Sequence, residues 1–99
     1  MKAPYKINLA RTARILRYED SQGTIAFGFE YESRDPVTGK WTLVLERSTA
    51  ESDRIDAIQN EQLRKAEQER LDAAFERTKK YLLTAGYHVK IWPDEFEKK

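Results

Sequence analysis

The sequence predicts an α+β fold with an antiparallel three-stranded β-meander, one long α-helix and a short C-terminal strand. Two turn-forming segments, at residues 20–23 and 35–39, divide residues 12–47 into runs that alternate between apolar and polar side chains. Residues 49–85 contain no glycine or proline, and apolar residues recur there at helical spacing. The predicted order is therefore β-β-β-α-β, with the helix packed on one face of the sheet, in a single domain covering residues 1–99.

The two turns also predict how the three strands pair. Pairing outward from them places Leu16 opposite Phe27 and Phe27 opposite Leu45, so that these side chains form one row. Because side chains alternate between the two faces of a sheet, this agreement between two independently chosen registers indicates the core face.

The opposite face of the meander is less polar than a solvated face usually is. The same registers place Gly28 between Ile15 and Val44, where it leaves a shallow apolar patch. A glycine inside a strand marks a bulge, a twist or a close approach by another molecule. These three residues are therefore a candidate contact site.

The long helix is predicted over residues 51–85 from signals at both of its ends. Ser48 and Glu51 have the spacing of a capping box at the N-terminus. Gly86, followed by Tyr87, has the pattern of a Schellman motif at the C-terminus.

Two apolar stripes run along this helix, and they do not lie on the same side. The C-terminal stripe consists of Leu71, Ala74, Phe75, Thr78, Leu82 and Ala85. The N-terminal stripe consists of Ile55, Ile58, Gln59, Gln62, Leu63 and Ala66. Their centres differ by roughly 120° around the axis, which exceeds the drift of a regular helix. Either the helix breaks or bends between about Asn60 and Arg70, or its first half contacts something other than the sheet.

The N-terminal stripe is the main candidate interaction surface, because a weakly apolar helix owes its stability to packing. The interface residues predicted there are Ile55, Ile58, Gln62 and Leu63. Three partners remain open: a second copy of this chain, a different protein, or a folded-back N-terminal segment containing Tyr5, Ile7 and Leu9.

The segments outside the meander and helix give simpler signals. Residues 5–9 alternate in polarity and predict another strand or an extended start to the first one. Residues 87–92 predict the short last strand, which ends before Pro93, and residues 94–99 are expected to be frayed.

Composition excludes several classes of function. The chain has 99 residues, no cysteine, one histidine and a formal net charge of +1. His88 thus has no second histidine or thiolate with which to share a metal, so we expect no metal, no cofactor and no catalytic site. No apolar run approaches the roughly 20 residues of a membrane span, and the N-terminus lacks a signal-peptide pattern, so a cytoplasmic protein is the default expectation.

An alternative function is single-stranded nucleic-acid binding. Five basic residues precede the first acid, Glu19, and aromatic side chains nearby are able to stack on bases. The residues predicted for this role are Arg11, Arg14, Arg17, Lys40 and Trp92. The preferred expectation is a non-catalytic protein–protein interaction module, such as an adaptor, inhibitor or regulatory subunit, that binds another protein or itself as a homodimer.

Overall fold

The computed structural model describes residues 4–47 and 49–92, which form one five-stranded sheet with two helices. The strands are β1 Tyr5–Ala10, β2 Ile15–Asp20, β3 Gly23–Arg34, β4 Trp41–Glu46 and β5 His88–Trp92, and the helices are α1 Thr49–Asp56 and α2 Glu61–Thr84. Their order across the sheet is β1-β2-β3-β4-β5, so β1 and β5 are the edge strands. Neighbours are antiparallel except β4 and β5, which run parallel because the chain crosses over through the helices between them.

The core lies between one face of the sheet and the helices. Seven sheet residues in it are essentially inaccessible: Leu16, Tyr18, Ile25, Phe27, Phe29, Leu43 and Leu45. From α2, the core receives Leu71, Ala74, Phe75, Thr78 and Leu82. The C-terminal stripe is thus confirmed except at Ala85, which caps the helix and is exposed. The α+β class and the packing of the helix on the sheet are as the sequence predicts.

The sheet has four strands before the helices, so the prediction of three is wrong. Residues 5–10 form a separate edge strand, β1, which pairs along its whole length with β2. The chain reverses through the segment Arg11–Arg14, where Arg14 adopts a left-handed backbone with φ 55°. This segment contains no glycine, proline, asparagine or aspartate, so the usual turn signals do not reveal it.

The predicted register is confirmed for one strand pair and wrong for the other. Leu16 lies opposite Phe27 as expected, but Leu45 lies opposite Phe29 rather than Phe27. Beside the turn the displacement is three residues, since Trp41 pairs with Arg34, and the register irregularity between Tyr31 and Ser33 reduces it to two. Because the shift along this part of β3 is two residues, the same side chains still face the core.

The long helix is broken at residues 57–60, a break that begins before the predicted interval of about 60–70 and overlaps it at Asn60. Asn60 caps the new helix: its side-chain oxygen accepts a hydrogen bond from the Leu63 N–H at 2.9 Å. This break lets Ile55 of α1 reach the same core as the C-terminal stripe of α2, whereas Gln62, Leu63 and Ala66 of the N-terminal stripe are exposed. The predicted C-terminal motif is also present, because Gly86 has φ 100° and the Tyr87 N–H donates to the Leu82 carbonyl at 3.1 Å.

Two predictions fall on residues that the structure does not describe, namely the capping residue Ser48 and the frayed tail at 94–99. Within the described ranges, neither helix combines the length and apolar character that crossing a bilayer requires.

Candidate functional site

A groove runs between the edge strand β1 and the C-terminal half of α2. Its volume is about 300 Å³. The residues that line it are Tyr5, Lys6, Ile7, Arg77, Lys80, Tyr81 and Thr84. We call it the β1–α2 groove. It follows from the topology, since no strand in the described part of the chain covers the outer side of β1.

Stacked side chains give the groove a defined wall. The ring of Tyr5 stacks on the ring of Tyr18 in β2, with their centroids 5.4 Å apart. The Arg77 guanidinium lies 4.6 Å from the centroid of the Tyr5 ring, a cation–π distance, and donates a hydrogen bond of 2.6 Å to the Tyr18 hydroxyl. Because Tyr18 is only 1% exposed, this stack connects the groove to the core.

The backbone of β1 offers hydrogen-bonding groups on its open side. The Phe29 N–H donates to the Arg14 carbonyl, so even-numbered residues of β2 direct their backbone groups toward β3 and odd-numbered residues toward β1. The β1 residues opposite those odd-numbered residues are Lys6, Asn8 and Ala10. Alternation then directs the N–H and C=O groups of Tyr5, Ile7 and Leu9 outward, where β1 has no neighbouring strand within the described ranges.

The groove is positively charged. Among the described residues that line it, three are basic and none is acidic. In the described ranges neither Lys6 nor Lys80 forms an ion pair. Tyr81, which is 39% exposed, adds an accessible aromatic surface beside them. An anionic group entering the groove would therefore meet uncompensated positive charge.

The four interface residues predicted on the helix lie in different environments. Ile55 is 1% exposed and belongs to the core, so it is not available to a partner in the folded protein. Ile58 is half-buried, and its carbonyl accepts a hydrogen bond from Arg64 at 3.0 Å. Gln62 and Leu63 are exposed near the start of α2, with Leu63 52% exposed. Only the last two remain available as a surface.

The strand register in the structure separates the residues of the patch predicted on the outer sheet face. Ile15 lies opposite Gly28 as expected, but Val44 lies opposite Glu30. The Glu46 side chain lies over Gly28, with its carboxylate oxygen 2.7 Å from the position that a Cβ atom would occupy there. The expected apolar dip is therefore covered by an acid, because β4 is displaced by two residues along β3.

The five residues predicted for nucleic-acid binding do not form one surface. Arg17 and Trp92 are on the outer sheet face, as their positions in the strand alternation require. Arg11 and Arg14 are in the segment between β1 and β2, and Lys40 immediately precedes β4. Arg11 and Arg14 instead line a separate cavity together with Trp41, the residue that follows Lys40.

The described residues contain no arrangement typical of a metal site. No group of three or more histidine, aspartate or glutamate side chains is placed to hold a metal ion in those ranges. His88 is exposed at the start of β5, opposite Thr42.

Comparison of the chain with protein-family models, curated proteins and solved structures gave no match. The function must therefore be argued from the surfaces of this chain.

The sequence contains two signals for the β1–α2 groove, although neither predicts it alone. Residues 5–9 alternate as an edge strand would. Four groove residues on α2 have the spacing i, i+3, i+4, i+7 that places side chains on one flank of a helix: Arg77, Lys80, Tyr81 and Thr84. Neither signal reveals that β1 lies beside this flank, because that depends on the order of the strands.

Proposed function

We propose that this protein is a non-catalytic protein-interaction module that binds an extended segment of a partner protein along β1. The observation that carries the proposal is an edge strand with outward-directed backbone groups next to a groove beneath a helix. Peptide-binding domains that add a strand to a sheet use this combination. Backbone hydrogen bonds supply affinity there, and the groove selects side chains.

The bound segment would become a sixth strand of the sheet. Its backbone would pair with the outward groups of Tyr5, Ile7 and Leu9. Alternate side chains of a strand point to opposite faces, so every second side chain of the partner would enter the groove. Those side chains would contact Tyr81 and the guanidinium of Arg77.

The charge of the groove favours an acidic partner segment. A carboxylate on a groove-facing position would lie near Arg77 and Lys80, neither of which has an acidic neighbour in the groove lining. A second copy of this chain is a poorer occupant. Two β1 edges paired with each other would bring two identical basic grooves together, and like charges oppose such an interface.

The projecting start of α2 is a weaker candidate for the same function. It exposes Gln62 and Leu63, but Ile55 is buried in the core and does not contribute to this surface. A single exposed leucine is common on protein surfaces and does not form a docking patch.

A charge reversal in the groove tests the proposal. The probe is a fluorescently labelled peptide in which valine alternates with glutamate, because it favours an extended conformation and carries the expected charge. We expect Lys80→Glu to weaken its binding by about fivefold or more, since an attraction becomes a repulsion. Fluorescence anisotropy at low ionic strength measures the change.

The matched control is Lys65→Glu, which makes the same substitution at an exposed position of α2 outside the groove. It should leave the affinity unchanged, and a peptide with lysine in place of glutamate should bind poorly to the unmodified protein. Equal losses in the two variants, or equal binding of the two peptides, would show that the groove is not the binding site.

A further inference from the structure

A second concave site lies apart from the β1–α2 groove. Its volume is about 400 Å³. The residues that line it come from four parts of the chain: Arg11, Arg14, Tyr31, Trp41 and Tyr87. We call it the arginine–aromatic site. Its volume is within the range of small-molecule sites, although it is open to solvent.

The aromatic side chains form a partly exposed platform. The rings of Tyr31 and Trp41 meet edge to face, with centroids 5.3 Å apart and an interplanar angle of 64°. Trp41 is 40% exposed, so part of its indole is accessible to a ligand. Tyr31 also contacts Phe29 of the core, at 5.5 Å between centroids, which holds the platform in place.

Two arginines bring positive charge to this platform. Arg11 is exposed and forms no ion pair within residues 4–47 and 49–92. Arg14 pairs with Glu30, yet its side chain remains 51% exposed and its guanidinium lies 6.0 Å from the Tyr31 ring centroid. Arg14 also has the one positive φ found among the described non-glycine residues. This conformation belongs to the turn at residues 11–14, in which the Arg14 N–H donates to the Arg11 carbonyl at 3.3 Å.

These features discriminate between two kinds of ligand. Three aromatic rings on their own would suit a quaternary ammonium group through cation–π contacts. Two guanidinium groups in the same lining disfavour a cation and favour an anion that also carries a flat ring. A nucleotide has this chemistry, with a base for the rings and a phosphate for the arginines.

We propose that the arginine–aromatic site binds a nucleotide unit of single-stranded nucleic acid. The base stacks on the exposed part of Trp41, and the flanking phosphates contact Arg11 and Arg14. A single strand fits because its bases are free to stack on protein side chains, whereas those of a duplex are already paired and stacked. This proposal is independent of peptide binding at β1, with which it shares no residue.

The residues that the sequence predicts for nucleic-acid binding fall into two groups, those that line this site and those that do not. Arg11 and Arg14 line the site, whereas Arg17 and Trp92 do not. Arg17 is therefore a matched control for the loss of an exposed arginine, and Trp92 is replaceable without altering the site.

The experiment uses Trp92→Phe protein, in which Trp41 is the one remaining tryptophan. We expect a single-stranded oligothymidylate to quench its fluorescence as bases stack on the indole. With two phosphate contacts, affinity should fall about sevenfold between 50 and 200 mM salt. Adding Arg11→Gln and Arg14→Gly should weaken binding by about tenfold or more, since both phosphate contacts are lost. Glycine suits the backbone at position 14, so this variant should fold.

Unchanged binding after Arg17→Gln would support the assignment of the phosphate contacts to Arg11 and Arg14. The proposal is overturned by an absence of quenching at 50 mM salt, or by equal losses in the Arg17 variant and the double variant. Equal affinity for thymidine monophosphate would overturn the assignment to a strand. Tighter binding of a phosphotyrosine peptide would overturn the assignment to nucleic acid.

Discussion

Asp20 and Arg70 form the most enclosed ion pair among the described residues. The Arg70 guanidinium donates to both carboxylate oxygens of Asp20, at 2.8 and 3.1 Å, and each side chain is only 14% exposed. A further hydrogen bond from Arg70 reaches the Gly23 carbonyl at 3.1 Å. The pair thus connects α2 to the turn between β2 and β3. Hydrogen bonding from Arg70, followed by that from the Gln22 backbone, holds the pKa of Asp20 below its usual value despite its burial.

We expect Asp20→Asn to lower the free energy of unfolding at pH 7 by about 1–3 kcal/mol, because the charge-assisted bonds to Arg70 are lost. Since folding lowers the pKa of Asp20, its stabilisation is complete above the unfolded pKa, about 3.9, and is lost as the pH falls through the folded pKa. Urea unfolding at a series of pH values measures both effects.

The control for this prediction is Asp56→Asn, at an exposed position near the end of α1. It should change stability by less than about 0.5 kcal/mol. The account of the pair fails if the difference between Asp20→Asn and the unmodified protein is as large at pH 3 as at pH 7.

At the scale of elements, the separation of α1 from α2 depends on a local signal. Asn60 has an extended backbone, with φ −72° and ψ 116°, and its side chain caps the first turn of α2. Because a new helix starts at this position, Ile55 of α1 lies in the same buried cluster as Leu71 of α2, while Gln62 and Leu63 remain exposed.

Asn60→Ala should therefore destabilise the protein by about 1 kcal/mol through loss of the cap. Gln59→Ala, one residue earlier and equally exposed, is the matched control and should have little effect. Thermal unfolding followed by circular dichroism gives both values. Equal stability of the two variants would mean that the cap does not determine where α2 begins.

The same scale explains how much of the fold the sequence reveals. Apolar alternation correctly predicts the core faces of the strands, and the spacing of Leu71, Phe75 and Leu82 correctly predicts the buried side of α2. The hairpin between β1 and β2 escapes prediction because its turn at 11–14 has no typical turn residue. The register of β4 escapes prediction because β3 continues to Arg34, which pairs with Trp41, so the loop between the strands begins two residues later than the turn pattern predicts.

In the whole molecule, each candidate site combines residues that are far apart in the sequence, so no local sequence pattern predicts it. The β1–α2 groove needs β1 at the edge of the sheet and α2 beside it. The arginine–aromatic site combines side chains as far apart in the chain as Arg11 and Tyr87. The individual residues were visible as basic or aromatic, but their grouping follows from strand order. For this reason the sequence predicts a binding role for Arg11 and Arg14 but not for Tyr31, Trp41 and Tyr87.

Within residues 4–47 and 49–92, β1 lies at the edge of the sheet with no strand on its outer side. Natural sheets usually protect such an edge with charge, proline, a bulge or a covering segment. Lys6 is the one charged residue in β1, and no proline interrupts the strand. An open edge of this kind is suited to accept a further strand.

Amide hydrogen exchange of β1, followed residue by residue by NMR, tests whether a partner segment adds to β1 as a further strand. In the free protein we expect the amides of Tyr5, Ile7 and Leu9 to exchange faster than those of Lys6, Asn8 and Ala10, because only the second set bonds to β2. Saturation with the valine–glutamate peptide should slow the first set and leave the second unchanged. Slow exchange of the first set in the free protein, or no slowing at saturation with the peptide, would contradict strand addition at β1.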